Sequence, residues 1–324
     1  MRPDPEDLLT FVQVVDSGTL TAAALRLGLA KSVISKRVRG LEAMLGAKLL
    51  HRAPRQVTAT ETGLLLYARA RILLAELDSL TEDVSSRAGA LRGAIRVAAP
   101  MSFGTRHLGP VIADFARRYT EMEVTLDLDD RYVDLQGGGY DLAVRIGRLE
   151  DSALRSRRLG TSHRVLCCSA DYAGRAGLPQ TLEALQAHDV TSYGNSRAGH
   201  IWRFMPREPG AERRVAQHRS LALQGRLSSN SGEALLDAAR AGLGLTLMPS
   251  FMVGPAIADG SLIPVPLPGW VPVPDTIHVV WPDTRALPLK LRAMVEHLAA
   301  AIAEPFAWDA ALPDEALPVR LRTV

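Results

Sequence analysis

The residues with the clearest chemical arrangement lie between Gly18 and Leu50. Ser32, Ser35, Lys36 and Arg39 recur at i, i+3, i+4 and i+7, a spacing that puts hydroxyls and cations on one face of a helix. Ile34, Val38, Leu41 and Leu45 form an apolar stripe on another face. Hydroxyl and cationic donors match phosphate oxygens and the acceptor-rich base edges of a DNA major groove, and a helix anchored through its apolar side can present them there. A solvated surface helix would show the same spacing. The charge distribution favours the first reading. Between Thr19 and Thr60 the chain carries eight Lys and Arg residues and one acid, Glu42, a local charge of +7 that leaves the remainder at −4 of the overall +3.

Chemistry of other kinds finds little support. Histidines 51, 107, 163, 188, 200, 218, 278 and 297 are dispersed, without a His-Glu-x-x-His pair or a Cys/His metal spacing. There is no Gly-x-Ser-x-Gly elbow and no phosphate loop. Gly137-Gly138-Gly139 precedes a strand, the wrong order for a dinucleotide fingerprint, and Asp127 to Asp130 lack the glycine and glutamate of a calcium loop. Cys167 and Cys168 are adjacent, form no disulfide framework, and sit in a strand pattern where thiols are inert. No enzyme, no metal and no cofactor is expected.

A second group of residues suits ligand binding. Ala99-Pro100-Met101-Ser102-Phe103-Gly104 lies where a strand pattern ends and a helix pattern begins, at the carboxyl edge of a sheet, where ligands bind and helix N–H groups favour anions. Ser102 reads equally as a helix cap. Arg145 and Gly147 follow a strand containing Asp141; Arg145 could hold a carboxylate or pair with Asp141. Ser229-Asn230-Ser231-Gly232 opens a helix and could face Ser102, with Thr246 in the next strand.

The elements that must position these residues can be read in order. A first helix runs to Gly18, with Asp4 as its cap, Pro5 at its first position and Leu8, Phe11, Val12 and Val15 as its buried stripe. After the cationic helix, 48–50 and 56–59 read as strands joined through Arg52 and Arg55, a hairpin placed to meet phosphates or to remain a solvated basic loop. Thr60 caps a helix to about Ala88. Its Leu66, Ala70, Leu73, Leu77, Leu80 and Val84 alternate spacings of 4 and 3, broadened by Leu65 and Ile72, a seam for a second chain or for the body of the same one. Beyond a hinge at Arg92-Gly93, strands at 94–98, 124–128, 141–145, 165–168, 243–248 and 277–281 alternate with helices near 104–119, 232–241 and 287–302, a parallel α/β pattern. Residues 304–324 form a proline-containing tail, disordered or docked around Trp308. The first residues are too acidic for a signal peptide and no apolar run reaches membrane-spanning length, so a cytoplasmic location is expected.

The segment GTLTAAALRLGLAKSVISKRVRGLEAMLGAKLLHRAPRQVTATETG resembles the N-terminal winged helix-turn-helix of LysR-type transcriptional regulators, through its Thr-x-Ala-Ala helix, Ser-Lys-Arg-Val-Arg helix, Leu-Glu-x-x-Leu-Gly, wing and Thr-Glu-x-Gly helix start. GAIRVAAPMSFG, YDLAVRIG and GEALLDAARAGLGLTLMPSF extend the resemblance at lower specificity to about residue 303. It implies a winged helix-turn-helix at 1–60, a linker and dimerisation helix with hinge at 61–91, and a two-lobed, periplasmic-binding-protein-like effector domain at 92–303. Lobe one is expected at 92–163 and 268–303, lobe two at 164–267. The implied DNA-binding residues are Thr21, Lys31, Ser32, Ser35, Lys36, Arg37, Arg39, Arg52 and Arg55, with Leu66, Leu73, Leu77 and Leu80 for dimerisation. Pro100, Met101, Ser102, Phe103, Arg145, Gly147, Asn230 and Thr246 are the expected effector residues, with Ser102 and Arg145 leaning towards a carboxylate or other small anion. Lys31 and Lys36 depart from the commoner residues of the family, which bears on the operator read. The implied partners are operator DNA, a small-molecule effector, further copies of the chain as dimer or tetramer, and RNA polymerase. Two rivals stand beside this reading: a ligand-binding protein or enzyme with an N-terminal oligomerisation module, and a constitutive repressor with an empty pocket.

Overall fold

The computed structural model describes residues 2–53, 56–86, 91–131, 135, 139–149, 154–194, 201–283 and 287–318, without the side chains of 52, 75, 76 and 78–86. The N-terminal module packs α1 (Pro5–Ser17), α2 (Leu20–Leu27) and α3 (Lys31–Leu45) around one core. Asp4 caps α1 by accepting the Glu6 N–H, Thr19 caps α2 through Ala22 N, and Gly18, Gly28 and Gly46 end the three helices in the left-handed region. Phe11, Val14, Ile34, Val38 and Leu41 are fully buried. Two expected core positions are corrected: Val14 takes the place assigned to Val15, which is only partly buried, and Leu45 lies exposed in the last turn of α3. There the helix has already left the core it packs on.

The wing is an antiparallel pair, β1 (Leu50–Arg52) with β2 (Val57–Ala59). Its first strand is displaced relative to the expected 48–50, because Glu42 intervenes. That carboxylate is 6% exposed and accepts the N–H groups of Leu49 and Leu50 at 3.0 and 3.4 Å, so the chain turns into the strand later. The one acid of the basic segment is thus turned inward; its second oxygen lies 3.8 Å from the exposed Lys48 ammonium, away from the cations of α3. Thr60 caps α4 (Glu61–Ser86) through Gly63 N at 3.0 Å while its hydroxyl donates to Lys48 O. Gly63 permits the approach of this helix to the wing, since a Cβ there would lie 2.1 Å from Leu49 O.

The body contains two lobes. Lobe one begins with β3 (Arg92–Ala99), continues through a short helix α5 (Met101–Phe103), a π-helical turn at 104–108 and α6 (Gly109–Arg118), and adds β4 (Glu121–Leu128), β5 (Leu142–Ile146) and β6 (Leu154–Ser162). Lobe two carries β7 (Arg164–Cys168), α7 (Ala170–Ala176), β8 (Thr191–Tyr193), β9 (Ile201–Pro206), β10 (Arg219–Ala222), β11 (Leu227–Ser229), α8 (Gly232–Arg240), β12 (Thr246–Pro249), α9 (Ser250–Ala258), β13 (Ile263–Pro264) and β14 (Trp270–Pro272). The chain then returns to lobe one as β15 (Asp275–Pro282) and α10 (Leu289–Ala301).

Sheet order in lobe one is β4-β3-β5-β15-β6; β3 is parallel to β4 and β5, but β15 runs antiparallel to both its neighbours. The wholly parallel sheet expected from the sequence is therefore mixed. The alternation of elements is retained, and the returning strand reverses direction because it re-enters from the other lobe. The expected boundary at 267/268 is also corrected, since β14 pairs with β9 inside lobe two and the second crossover falls at 273–274. The tail docks. Phe306, Leu312 and Ala316 join the body's core, Glu304 accepts the Thr161 N–H at 2.5 Å in lobe one, and Arg207 of lobe two donates to Asp314 O at 2.8 Å.

Candidate functional site

The cationic face of α3 is positioned from behind. Ile34, Val38 and Leu41 hold the helix in the core, which leaves Lys31, Ser32, Lys36 and Arg39 exposed and Ser35 half-buried between them. Arg39 is tethered by its Nε to Ser35 O at 3.2 Å, which orients the guanidinium along the helix without closing off its outer edge. Thr21 is exposed on α2, the neighbouring helix. Arg37 does not share this surface. Its guanidinium turns back to α1, where it pairs with Glu6, lies 3.9 Å from Asp7 and donates to Thr10 Oγ1 at 3.3 Å. Its inclusion among the DNA-facing residues is corrected: a helix rotates 100° per residue, and the step from Lys36 to Arg37 carries the side chain round to the α1 carboxylates. Arg55 and the Arg52 side chain lie outside the described residues.

On α4 the apolar surface divides in two. Tyr67 and Ala70 are buried and Leu66 and Leu74 pack against the N-terminal core, so Leu66 and Ala70 leave the expected intermolecular seam and belong to the module itself. The Tyr67 hydroxyl donates to Asp16 of α1, fixing the helix to the head. Leu64 (56% exposed), Leu65 (66%), Ile72 (47%), Leu73 and Leu77 remain exposed. Leu65 and Ile72 are one heptad apart on the side away from the head. The Leu80 side chain lies outside the described residues.

Between the two lobes is a cleft of about 210 Å³. Its floor is lined by Phe103, Leu235, Met248, Phe251 and Met252, and its walls by Pro100, Ser102, Asp130, Arg164, Thr191, Tyr193, Trp202, Thr246 and Asp275. The π-helical turn after α5 brings Ser102 to lobe two. Gly232, the first residue of α8, approaches so closely that a Cβ would meet Ser102 Oγ at 3.1 Å and Met252 Cε at 2.7 Å. Thr191 donates to Thr246 at 2.8 Å, tying β8 to β12 beneath the wall. Both chain crossings lie at the cleft. Arg164 opens β7 and Asp275 opens β15, and they pair at 3.3 Å, while Arg164 also donates to Leu247 O at 3.0 Å. At the rim Arg106 of lobe one grips Glu233 of lobe two bidentately at 2.9 and 2.6 Å, and this guanidinium holds the Glu233 carboxyl below the usual glutamate range.

Of the expected effector residues, Pro100, Ser102, Phe103 and Thr246 line the cleft. Met101 is exposed with its N–H on Asp130, Asn230 is exposed, and Gly147 is spent on a backbone bond to Thr276 O. Arg145 lines an adjoining depression of about 70 Å³, with Asp129 and Arg131, that shares Pro100, Asp130 and Ile146 with the cleft. Those four are corrected: none of them is among the residues that line the cleft itself. Alternation along β5 gives Ile146 to the cleft and leaves Arg145 beside it. Of the residues that the sequence did not single out, Arg164 and Asp275 lie one and two residues ahead of strands that were expected, and Thr191, Tyr193 and Trp202 come from short strands that were not. Only the switch between lobes, visible in three dimensions, brings them together.

The tail supports the cleft from behind. Trp308 stacks on Phe306 with ring centroids 4.3 Å apart and packs against His107 (4.3 Å), Phe103 (6.3 Å) and Phe251 (6.5 Å), the last two being lining residues. Two glycines make room for it. A Cβ at Gly160 of β6 would strike the Phe306 ring at 2.4 Å, and one at Gly254 of α9 would strike Trp308 O at 2.1 Å. Cys167 and Cys168 are buried; burial pushes the Cys168 thiol up to about 11 and Cys167 higher still, so neither is a ready nucleophile.

Comparison with known proteins agrees with this geometry. Residues 5–64 match the family described as "Bacterial regulatory helix-turn-helix protein, lysR family", and residues 88–303 match "LysR substrate binding domain". The chain is 37% identical over 303 residues to the HTH-type transcriptional regulator PtxR of Pseudomonas aeruginosa, covering 92% of this chain and 93% of that one. It is 34% identical over 300 residues to the HTH-type transcriptional activator TtdR of Escherichia coli K12, at 92% and 93% coverage. Among solved structures, CrgA, a LysR-type transcriptional regulator from Neisseria meningitidis, superimposes with a TM-score of 0.57 at 29% identity, covering 93% of this chain and 99% of that one. A helix-turn-helix head with a cationic outer face, a long linking helix and a two-lobed α/β body around a cleft are combined in one chain, and the chain belongs to the LysR family of DNA-binding, effector-responsive transcriptional regulators.

Proposed function

We propose that the chain reads a partly palindromic operator as a homodimer or homotetramer, with one α3 in each of two successive major-groove half-sites. Lys31, Ser32, Ser35, Lys36 and Arg39 face the groove, Thr21 reaches the adjoining backbone, and the wing, with Arg52 and Arg55, lies along the phosphates. The observation that carries this reading is the exposure of the α3 cations, with Glu42 withdrawn into backbone hydrogen bonds. The exposed Leu65 and Ile72 face of α4 joins the two copies. A small molecule in the inter-lobe cleft is the effector; it changes the arrangement of the heads by binding one lobe geometry more tightly than another. The functional division is into a head (1–60), a linker (61–91), an effector body (92–303) and a tail. The protein acts in the cytoplasm through RNA polymerase and carries no catalysis of its own. Among the described residues no helix is long and apolar enough to cross a membrane.

The test is a titration of purified protein on a labelled duplex from upstream of its own gene at two salt concentrations. Affinity is expected to fall steeply with salt, by about one unit of log–log slope per phosphate contact, and to be lost in Lys36→Glu. Salt-independent binding, or full affinity in the variant, would contradict the assignment.

A further inference from the structure

The inter-lobe cleft has a size, a wall and a charge, and together they select a ligand class. At about 210 Å³ it exceeds the roughly 150 Å³ that holds benzene in an engineered cavity, so it suits one ring with a short substituent. The buried rings of Phe103, Trp202 and Phe251 supply its apolar faces. The charges do not favour an anion. Arg164 is already spent on Asp275 and the Leu247 carbonyl. Asp130 is met among the described residues by the Met101 N–H at 2.9 Å and by no cation at ion-pair distance; Arg131, paired with Asp129, and Arg145 lie on its other side, in the adjoining depression.

That last contact also removes the usual anion trap of such sheets. The chain's own Asp130 occupies the N-terminus of the strand-to-helix turn, and Ser231 caps α8 on the opposite side. Two carboxylates and one guanidinium therefore line the described walls, the reverse of the carboxylate clamp expected from Arg145.

We propose that the cleft binds a single-ring compound bearing a protonated amine or amidine, its ring between the aromatic walls and its cation on Asp130. The proposal rests on the reading of this cleft as the effector site. Desolvated aromatic faces add cation–π attraction to the ion pair, whereas a carboxylate in the cleft would face the like charge of Asp130.

Benzamidine, benzamide and benzoate have nearly the same shape and carry charges of plus one, zero and minus one. Their affinities for the full-length protein can be ranked by thermal shift and calorimetry. Benzamidine is expected to bind about tenfold or more tightly than benzoate, with benzamide between them. Asp130→Asn should bring benzamidine down to the level of benzamide. Ser102→Leu should abolish the shifts by filling the cleft, and Gly232→Ala serves the same purpose if that variant does not fold. Tighter binding of benzoate, no binding of any of the three, or binding unaffected by the cleft variants would overturn the proposal. A parallel footprint, run without the compounds and then with benzamidine, tests the regulator reading separately. An intact footprint with benzoate preferred defeats the ligand class alone, and benzamidine bound in the cleft with an unchanged footprint defeats the effector role of the cleft alone.

Discussion

Lys36 and Arg37 are neighbours in sequence with opposite assignments. Lys36 projects from the exposed face of α3, and Arg37 closes onto Glu6, Asp7 and Thr10 of α1. Replacing either removes one positive charge, so composition alone predicts the same effect. The structure predicts a separation. Lys36→Ala should weaken operator binding and reduce the salt slope by about one. Arg37→Ala should leave the salt slope unchanged and lower stability by about 0.2–1 kcal/mol, the range for partly exposed ion pairs, measured by urea denaturation. At the same scale, His107 packs beside Trp308 with its Nε2 3.2 Å from Phe251 O. Burial, with a smaller contribution from Arg106, lowers its pKa below 6.5, against the raising effect of the Phe251 carbonyl. The unfolded chain therefore takes up this proton first on acidification. Stability from this site is complete above pH 6.5 and is lost as pH falls through the interval down to the folded-state value. His107→Gln should flatten that part of the stability–pH curve, and an unchanged slope would contradict the assignment.

At the scale of elements, legibility in the sequence followed amphipathicity. The helices of the head and β3, β4, β5 and β15 of lobe one carried apolar patterns and were placed to within a few residues, whereas β6, an edge strand with four exposed residues in a row, was missed. The long helix shows the limit of that approach. Its heptad-like series mixed two faces: one packs on the head, and the other stays exposed and is the one proposed to meet a second copy. Leu66 and Ala70 went inward; Leu65 and Ile72 stayed outward. Leu65→Glu with Ile72→Glu is accordingly expected to yield folded monomers in sedimentation experiments, with the circular dichroism spectrum of the parent. Ala70→Glu should instead unfold the head, since it would bury an unpaired carboxylate. If the double variant kept the parent assembly, the dimer surface would lie elsewhere. Lobe two was the least legible part. Apart from β12, its short strands from β8 to β14 were not expected; they pair in three small sheets whose partners are distant in sequence, and no local period marks them.

For the whole molecule, the tail is the least expected contributor. The family match ends at residue 303, yet Phe306 and Trp308 fill space left by Gly160 and Gly254 on different lobes. A segment tied to both lobes and stacked behind two cleft residues limits how far the lobes can separate. Its aromatic residues were visible in the sequence, but the notches that receive them were not, because a glycine in a strand or helix has several ordinary explanations. Phe306→Ala is expected to destabilise the body by about 3–5 kcal/mol, the usual cost of truncating a buried aromatic, read as a lowered midpoint in chemical denaturation. A loss below about 1 kcal/mol would mean that the tail is a passenger.

The central claim joins the scales: the cations of α3, held by the head and paired through α4, read two half-sites on one operator. A nuclease footprint on the region upstream of its own gene tests it most directly. Two protected half-sites are expected about one or more helical turns apart, roughly 10–10.5 base pairs centre to centre or a multiple, both lost together in Lys36→Glu. Protection of a single unpaired site, or of the same bases by the variant, would contradict it.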